Sequence, residues 1–218
     1  MHSWVGILES FDSICYNVEY TIRIGGKGGT ALSLYYTKYN SPLGDILLMA
    51  NDDALIRLCL PGQTVEEGLL AQAACHDRAP LLVEGCDWLD RYFCGKRPTP
   101  QEIRLDPPGS DFRKQVWERL CYIPYGTLVT YGDIAREMAQ EKGKNMSAQA
   151  VGGAVGHNPI SLIIPCHRVV GRDGSLVGYN GGVALKRRLL KYEGVDVRNL
   201  YDPKPRTGPG ALQENDEK

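Results

Sequence analysis

The stretch "GHNPISLIIPCHRVVGRDG", residues 156–174, constrains the fold more than any other part of the chain. Its apolar run at 160–164 has to leave water, since burial is worth about 25 cal/mol for each Å² of apolar surface. The run ends on Pro165, which fixes its own φ and donates no backbone hydrogen bond. Cys166, His167 and Arg168 follow at once. Any fold for this chain therefore carries a thiol, an imidazole and a guanidinium at the end of a buried segment. Polar groups in such a place need partners from elsewhere in the sequence.

Around this stretch lie 218 residues, 43% hydrophobic and 23% charged, which suits one compact protein of one or two small domains. No apolar run approaches the ~20 residues of a membrane-spanning helix, so no membrane partner is expected. The opening residues lack the basic start, apolar core and cleavage site of a signal peptide. The seven cysteines, at 15, 59, 75, 86, 94, 121 and 166, form no CxxC pair, and the four histidines show no finger-type spacing. No metal site and no cofactor are expected, and the thiols fit a reducing, cytoplasmic setting. The net charge of −1 conceals an asymmetry. Residues 1–109 hold 9 Lys and Arg against 14 Asp and Glu, whereas residues 110–200 hold 13 against 8. A basic second half fits an anionic partner.

Residues 1–30 show no period and read as a loose extension or one loosely packed strand. A first domain spans 31–106. In it "LSLYYTKYN", "DILLMANDD" and "ALIRLCLPG" read as short strands joined by turns at Ser41-Pro42-Leu43-Gly44 and Asn51-Asp52-Asp53. "PLLVEGCDWLDRYFCGK" then has the helical period, with Gly95 as its stop. "RPTPQEIRLDPPG" is an extended linker. A second, mainly helical domain spans 107–197, followed by a flexible tail at 198–218. Ser110 or Asp111 caps a helix that breaks at Ile123-Pro124-Tyr125-Gly126. Thr130 caps "YGDIAREMAQ", and Ser147 caps "AQAVGGAVG", with Val151, Ala154 and Val155 on one face. Together these two helices fit a helix-turn-helix. Gly152 and Gly153 each cost a helix ~1 kcal/mol and leave a smooth face, for a neighbouring helix or a nucleic-acid groove. The last helix, at 183–192, carries Leu185 and Leu189 on one stripe, and Glu193 continues that stripe. A carboxylate facing inward at the negative end of a helix dipole breaks two rules at once. Such breaks tend to mark function.

A thiol near its usual pKa of ~8.5 is mostly protonated at neutral pH. His167 can take its proton if an anion orients the ring, and Glu193 can be that anion. The plain alternative is an inert buried cysteine beside a surface histidine. Two active classes compete: a cysteine hydrolase, which needs a mobile water and an oxyanion hole, and a stoichiometric acceptor, which needs one displacement only.

"IPCHRVV", preceded by "AVGGAVGHNP" and followed by "GYNGGVALKRRLLKYEG", resembles the O6-alkylguanine-DNA alkyltransferases. The likeness runs upstream through "FRKQVWERLCYIPYGTLVTYGDIA" and, more faintly, "SPLGDILLMA" and "LDRYFCGKR", covering about residues 34–195. It implies an α+β fold: a small N-terminal α/β domain with a short antiparallel sheet, and a helical, winged helix-turn-helix-like C-terminal domain. It implies a monomer that binds double-stranded DNA carrying O-alkylated bases, in the cytoplasm at the nucleoid, or in the nucleus of a eukaryote. The damaged guanine would be flipped into a pocket, since its O6 substituent cannot be attacked in line within the stack. Cys166 would accept the alkyl group irreversibly, and His167 would take the thiol proton through a water, supported by Glu193. Asn158 would tie the groove-binding helix to the cysteine loop, and Tyr131 would assist protonation of the leaving guanine.

The resemblance further places Thr130, Tyr131, Ala148, Gln149, Val151 and Gly152 against DNA. It places Val177, Gly178, Tyr179, Asn180 and Ser161 around the base, and Arg168 as a brace of the loop. Three departures stand out. Gln149 replaces the arginine that usually fills the hole left by the flipped base, "AQEKGKNM" lengthens the connection between the two helices, and Ser161 stands where some members carry proline. A related class of damage sensors flips the base without repairing it but lacks the cysteine, so Cys166 favours transfer.

Overall fold

The computed structural model describes residues 33–65, 67–143 and 145–202. The extension at 1–30, Lys144 and the tail beyond Asp202 lie outside the described residues. Strands β1 (Tyr35–Ser41) and β2 (Gly44–Ala50) form a hairpin at the expected turn. Ser41 Oγ accepts from Leu43 N and donates to Gly44 O there. Asn51 then accepts from Asp53 N and Ala54 N, turning the chain into β3 (Leu55–Cys59), antiparallel to β2. The short antiparallel sheet is present as expected, and one parallel edge strand is added to it. A short helix α1 (Glu67–Leu70) leads into β4 (Ala74–Cys75), which pairs parallel with β1 in the order β3-β2-β1-β4. A crossover is what parallel pairing requires.

Helix α2 (Pro80–Phe93) starts on a proline, where no amide partner is lost, and buries Leu82, Trp88, Leu89 and Tyr92. It lies so close to the sheet that a Cβ at Gly85 would come within 2.7 Å of Leu48. The linker expected to be extended contains one 3₁₀ turn, Pro100–Glu102, before it reaches the second half.

That half holds α3 (Asp111–Leu120), α4 (Tyr131–Lys142), α5 (Ala148–Gly156) and α6 (Val183–Tyr192). Ser110, Thr130 and Ser147 cap the first three as their sequences require, and Thr130 with Asp133 forms a reciprocal box. Strands β5 (Val129–Thr130) and β6 (Val169–Val170) pair in parallel between them. Trp117 on α3 donates to Ala154 O at 2.8 Å, holding α5 from behind. Residues 198–202, expected to begin a flexible tail, are tied down instead. Leu176 N donates to Tyr201 O (3.0 Å) and Tyr201 N to Gly174 O (3.2 Å).

The two halves share one hydrophobic core, and they also share a sheet edge. Leu58 N on β3 donates to Pro159 O, and Ser161 N returns a bond to Leu58 O, each at 3.0 Å. The cysteine segment is thus docked on the first domain.

Candidate active site

The site is built on a tight reversal. Ile164 N donates to Ile160 O (3.1 Å), and Leu162 at its tip takes φ 72°, a conformation leucine rarely adopts. Asn158 pins this turn from inside. Its Oδ1 accepts from Ile160 N (3.0 Å), and its Nδ2 reaches Ile164 O (2.9 Å) and Cys166 Sγ (3.0 Å). Cys166–Arg168 then forms a buried 3₁₀ turn, with His167 0% exposed. The apolar run does bury a thiol, an imidazole and a guanidinium together.

Their partner is Glu193, at the C-cap of α6 and 5% exposed. Glu193 Oε1 lies 2.8 Å from His167 Nε2, and Arg168 grips both carboxylate oxygens, Nε to Oε2 at 2.8 Å and Nη2 to Oε1 at 2.9 Å. Arg168 Nη1 donates to Ile123 O at 2.6 Å, so this residue braces the loop. The amide of Gly126 closes Oε2 at 3.0 Å, from a turn at φ 72° where a Cβ would meet Glu193 O at 2.9 Å. Because Glu193 only accepts, His167 Nε2 carries the hydrogen, and the buried Nδ1 is left without a partner among the described residues.

The electrostatics fit a resting thiol awaiting a base. Burial pushes Cys166 up, opposed by the Asn158 donor and the Lys186 charge. Burial pushes His167 below its ordinary value, opposed by Glu193. Burial would raise Glu193, but hydrogen bonds and charge from His167 and Arg168 hold it well below the carboxylate range.

Beside the relay lies a cavity of about 410 Å³, lined by Gly152, Gly153, Gly156, His157, Val177, Gly178, Tyr179, Asn180, Gly182 and Val183. Val177 through Asn180 therefore sit together as expected. Tyr131 lies against the same loop, its hydroxyl donating to Val177 O at 2.8 Å. The Tyr179 hydroxyl is buried with no hydrogen-bond partner among the described residues. Ser161 is not part of this lining. Its backbone is bonded to β3 and it is 1% exposed, which corrects its placement around the base.

On the outer face of α5, Ala148 and Gln149 are exposed in the first turn, and Gly152 is half-buried against the Tyr131 ring. Val151 is 0% exposed in the core and cannot touch DNA, a second correction. The Thr130 hydroxyl is engaged with Asp133.

Three residues at the site were not anticipated. His157 follows α5 at the cavity rim, and Tyr92 donates to Glu193 from α2 at 2.9 Å. Lys186 is 0% exposed, with Nζ on Val169 O (2.6 Å) and Val177 O (3.2 Å). Burial lowers its pKa to about 8, opposed by Cys166. The signal for Lys186 was in the sequence: it stands four residues before buried Leu190, inside an apolar stripe, as Glu193 does.

Residues 34–107 match the ribonuclease-like domain of 6-O-methylguanine DNA methyltransferase, and residues 111–195 match its DNA binding domain. The methylated-DNA–protein-cysteine methyltransferase of Haemophilus influenzae is 36% identical over 178 residues, 80% of this chain and 95% of that protein. Its counterpart from Methanosarcina barkeri is 41% identical over 166 residues, 76% of this chain and all of that one. The crystal structure of the Mycobacterium tuberculosis O6-methylguanine methyltransferase superposes with a TM-score of 0.63 at 38% identity, over 73% of this chain and 92% of that chain. A second structure of that enzyme, in complex with DNA, gives 0.63 at 37% identity, over 76% and 94% of the two chains. With both halves matched over nearly the full length of these relatives, the chain belongs to the methylated-DNA–protein-cysteine methyltransferase family.

Proposed function

We propose that this protein repairs double-stranded DNA by taking an alkyl group from the O6 of guanine onto its own Cys166, once and irreversibly. The observation that carries the reading is that Cys166, His167 and Glu193 are buried, with His167 Nε2 on Glu193 and His167 Nδ1 without a partner among the described residues. A water between the thiol and Nδ1 would pass the proton to His167, and the thiolate would attack the alkyl carbon. An S–C bond forms and the C–O bond breaks, its electron pair leaving on the guanine, which takes up a proton. Glu193 stabilises the imidazolium that forms. Flipping the base brings its O6 substituent to a thiol that is only 5% exposed.

In this reading the domains are 31–106 and 107–197, the residues to 202 bracing the second. Asn158 holds the sulfur, and Val177, Gly178, Tyr179 and Asn180 close on the base. The buried, unpartnered Tyr179 hydroxyl supports a polar ligand here. Tyr131 would exchange Val177 O for the base as it enters. Thr130, Ala148, Gln149 and Gly152 would line the groove contact, and the protein would act as a monomer at the chromosome, on O4-alkylated thymine as well where the pocket admits it. A thioether is not hydrolysed by a relay of this kind, so nothing regenerates the thiol.

The test is mass spectrometry after incubation with duplex DNA carrying O6-methylguanine. One added methyl on the Cys166 peptide is expected. Unchanged mass with a stable complex would make the protein a damage sensor, and turnover of an ester would make it a hydrolase.

A further inference from the structure

Glu193 accepts five hydrogen bonds, and one of them comes from the other half of the chain. Its Oε1 receives His167 Nε2, Arg168 Nη2 and the Tyr92 hydroxyl; its Oε2 receives Arg168 Nε and Gly126 N. Tyr92 stands on α2, 101 residues away, and is 0% exposed. Its neighbours use their hydroxyls otherwise. Tyr192, stacked on the same ring, donates to Phe93 O, and Tyr125 donates to Tyr192 O. Each is satisfied by a backbone carbonyl, whereas Tyr92 places its hydroxyl on the carboxylate.

Arg168 and Gly126 already fix where Glu193 sits, since together they hold both oxygens. A phenol donating to the oxygen that His167 shares changes instead how strongly that oxygen attracts a proton on the imidazole. Donation disperses the charge of Oε1, so an imidazolium gains less from it. Neutral His167 keeps its Nε2 hydrogen on Glu193 and its Nδ1 open, and only a neutral ring can accept the thiol proton.

We propose that Tyr92, supplied by the first domain, is a positioning residue of the transfer relay, holding His167 neutral through the Glu193 oxygen they share. The proposal rests on the alkyltransferase reading above. It also gives the first domain a part in the chemistry besides packing. The other groups facing the pair are Cys166, Arg168, Tyr125, Tyr179 and Lys186. Burial raises Cys166, Tyr125 and Tyr179, and Lys186 titrates at about 8. Below pH 7 the group among these that changes charge is therefore His167.

The test uses the full-length protein and two readouts. Ring-carbon NMR of His167 between pH 5 and 8, without DNA, reads its protonated fraction directly. Single-turnover methyl transfer over the same range reads the acid limb of the rate. Tyr92→Phe should raise the His167 midpoint, seen at least as a larger protonated fraction at pH 5. It should move the acid limb with it and leave the plateau within about twofold. A fluorinated tyrosine at position 92, a stronger donor of nearly the same size, should shift both the opposite way. That arm decides the matter if Tyr92→Phe fails to fold. An unmoved protonated fraction, or a lower plateau on an unmoved limb, would make Tyr92 a packing residue and overturn the proposal. Absence of methyl transfer by the wild type would instead sink the alkyltransferase reading, while the NMR arm still judged Tyr92.

Discussion

The floor of the site, around Cys166 and Glu193, and the outer face of α5 are built on opposite terms. On the floor, Cys166, Asn158, Arg168 and Glu193 are all buried and partnered, and His167 Nδ1 has no partner among the described residues. On α5, Ala148, Gln149, Ala150 and Gly153 are exposed, and Gln149 makes no side-chain hydrogen bond among the described residues. Nor does internal packing demand the two glycines. A Cβ at Gly152 would make ordinary contact with the Tyr131 ring, at 3.7 Å, and one at Gly153 would meet nothing within 4 Å. Keeping them forgoes ~1 kcal/mol of helix stability each. In the proposed reading, chemistry rests on contacts that are present, and recognition on bulk that is absent. Changes on the floor should therefore act steeply and changes on α5 gradually.

The steepest case is Cys166→Ser. An unactivated hydroxyl is a far poorer nucleophile than a thiolate, so methyl transfer should fall by ~100-fold or more while DNA affinity stays within about twofold. Transfer by that variant at a tenth of the wild-type rate would remove Cys166 from the centre of the mechanism. Glu193→Gln comes next. It should slow transfer at least severalfold, with DNA binding nearly intact, and it should also lower the melting temperature. Arg168 would lose its charged partner inside the protein, and breaking a buried pair commonly costs ~3–5 kcal/mol. An unchanged rate with a lower melting temperature would leave Glu193 as structure only.

Acid stability separates the floor from α5 again. Burial holds His167 below its ordinary value, so below about pH 6.5 the unfolded chain binds a proton that the folded one refuses. Stability then falls with falling pH, by up to about 1.4 kcal/mol per unit, and levels off above that range. Glu193, held below the carboxylate range, adds a second loss as pH drops below about 4.5 toward its folded value. Chemical denaturation at pH 5.0, 5.5, 6.0 and 6.5 should show the first slope in the wild type and a flatter one in His167→Gln. Equal slopes would mean that His167 titrates normally.

How legible all this was depended on the distance over which each feature is decided. Ser110, Thr130 and Ser147 were readable as caps because a cap acts within three residues. Glu193 was readable because it broke a local rule, and Lys186 broke the same rule unnoticed. Tyr92 looked like any core aromatic on α2, since its hydroxyl finds its use 101 residues away. Strand β4, two residues of alanine and cysteine, carries no strand signal and exists because β1 offers it an edge. Val151 had a correct local reading, on the apolar face with Ala154 and Val155, and the resemblance set it against DNA instead. Where period and resemblance disagreed, the period described the burial.

Gly153→Ala tests the proposed recognition face directly. The added methyl points into open space, so the free protein should keep or gain stability, by up to ~1 kcal/mol. Binding to duplex DNA should nonetheless weaken severalfold if a groove comes against that face. Unchanged binding would mean that α5 stands further from DNA than its bare surface implies.

Gln149→Arg should have the smallest effect, and it runs the other way. A flipped nucleotide leaves a void whose formation costs a few kcal/mol, which an inserted side chain offsets. Arginine does this with a planar charged fork that stacks and attracts phosphate, and glutamine brings reach and hydrogen bonding without charge. Gln149 lies exposed in the first turn of α5, so an arginine there can extend without displacing anything inside the protein. Of the cations in the lengthened connection, Lys142 is bonded to Gln115 at the surface, and Lys144 lies outside the described residues; these two are the first alternatives for filling the hole. Gln149→Arg should therefore tighten DNA binding at low salt by a few fold. The slope of log affinity against log salt should steepen by about 0.9, one counterion's worth, if the new charge reaches a phosphate. Tighter binding with an unchanged slope would mean that the arginine stacks in the void without touching the backbone. No gain in binding or repair at low salt would mean that another residue occupies the gap, and the comparison between a chemically exact floor and a permissive face would then need a different boundary.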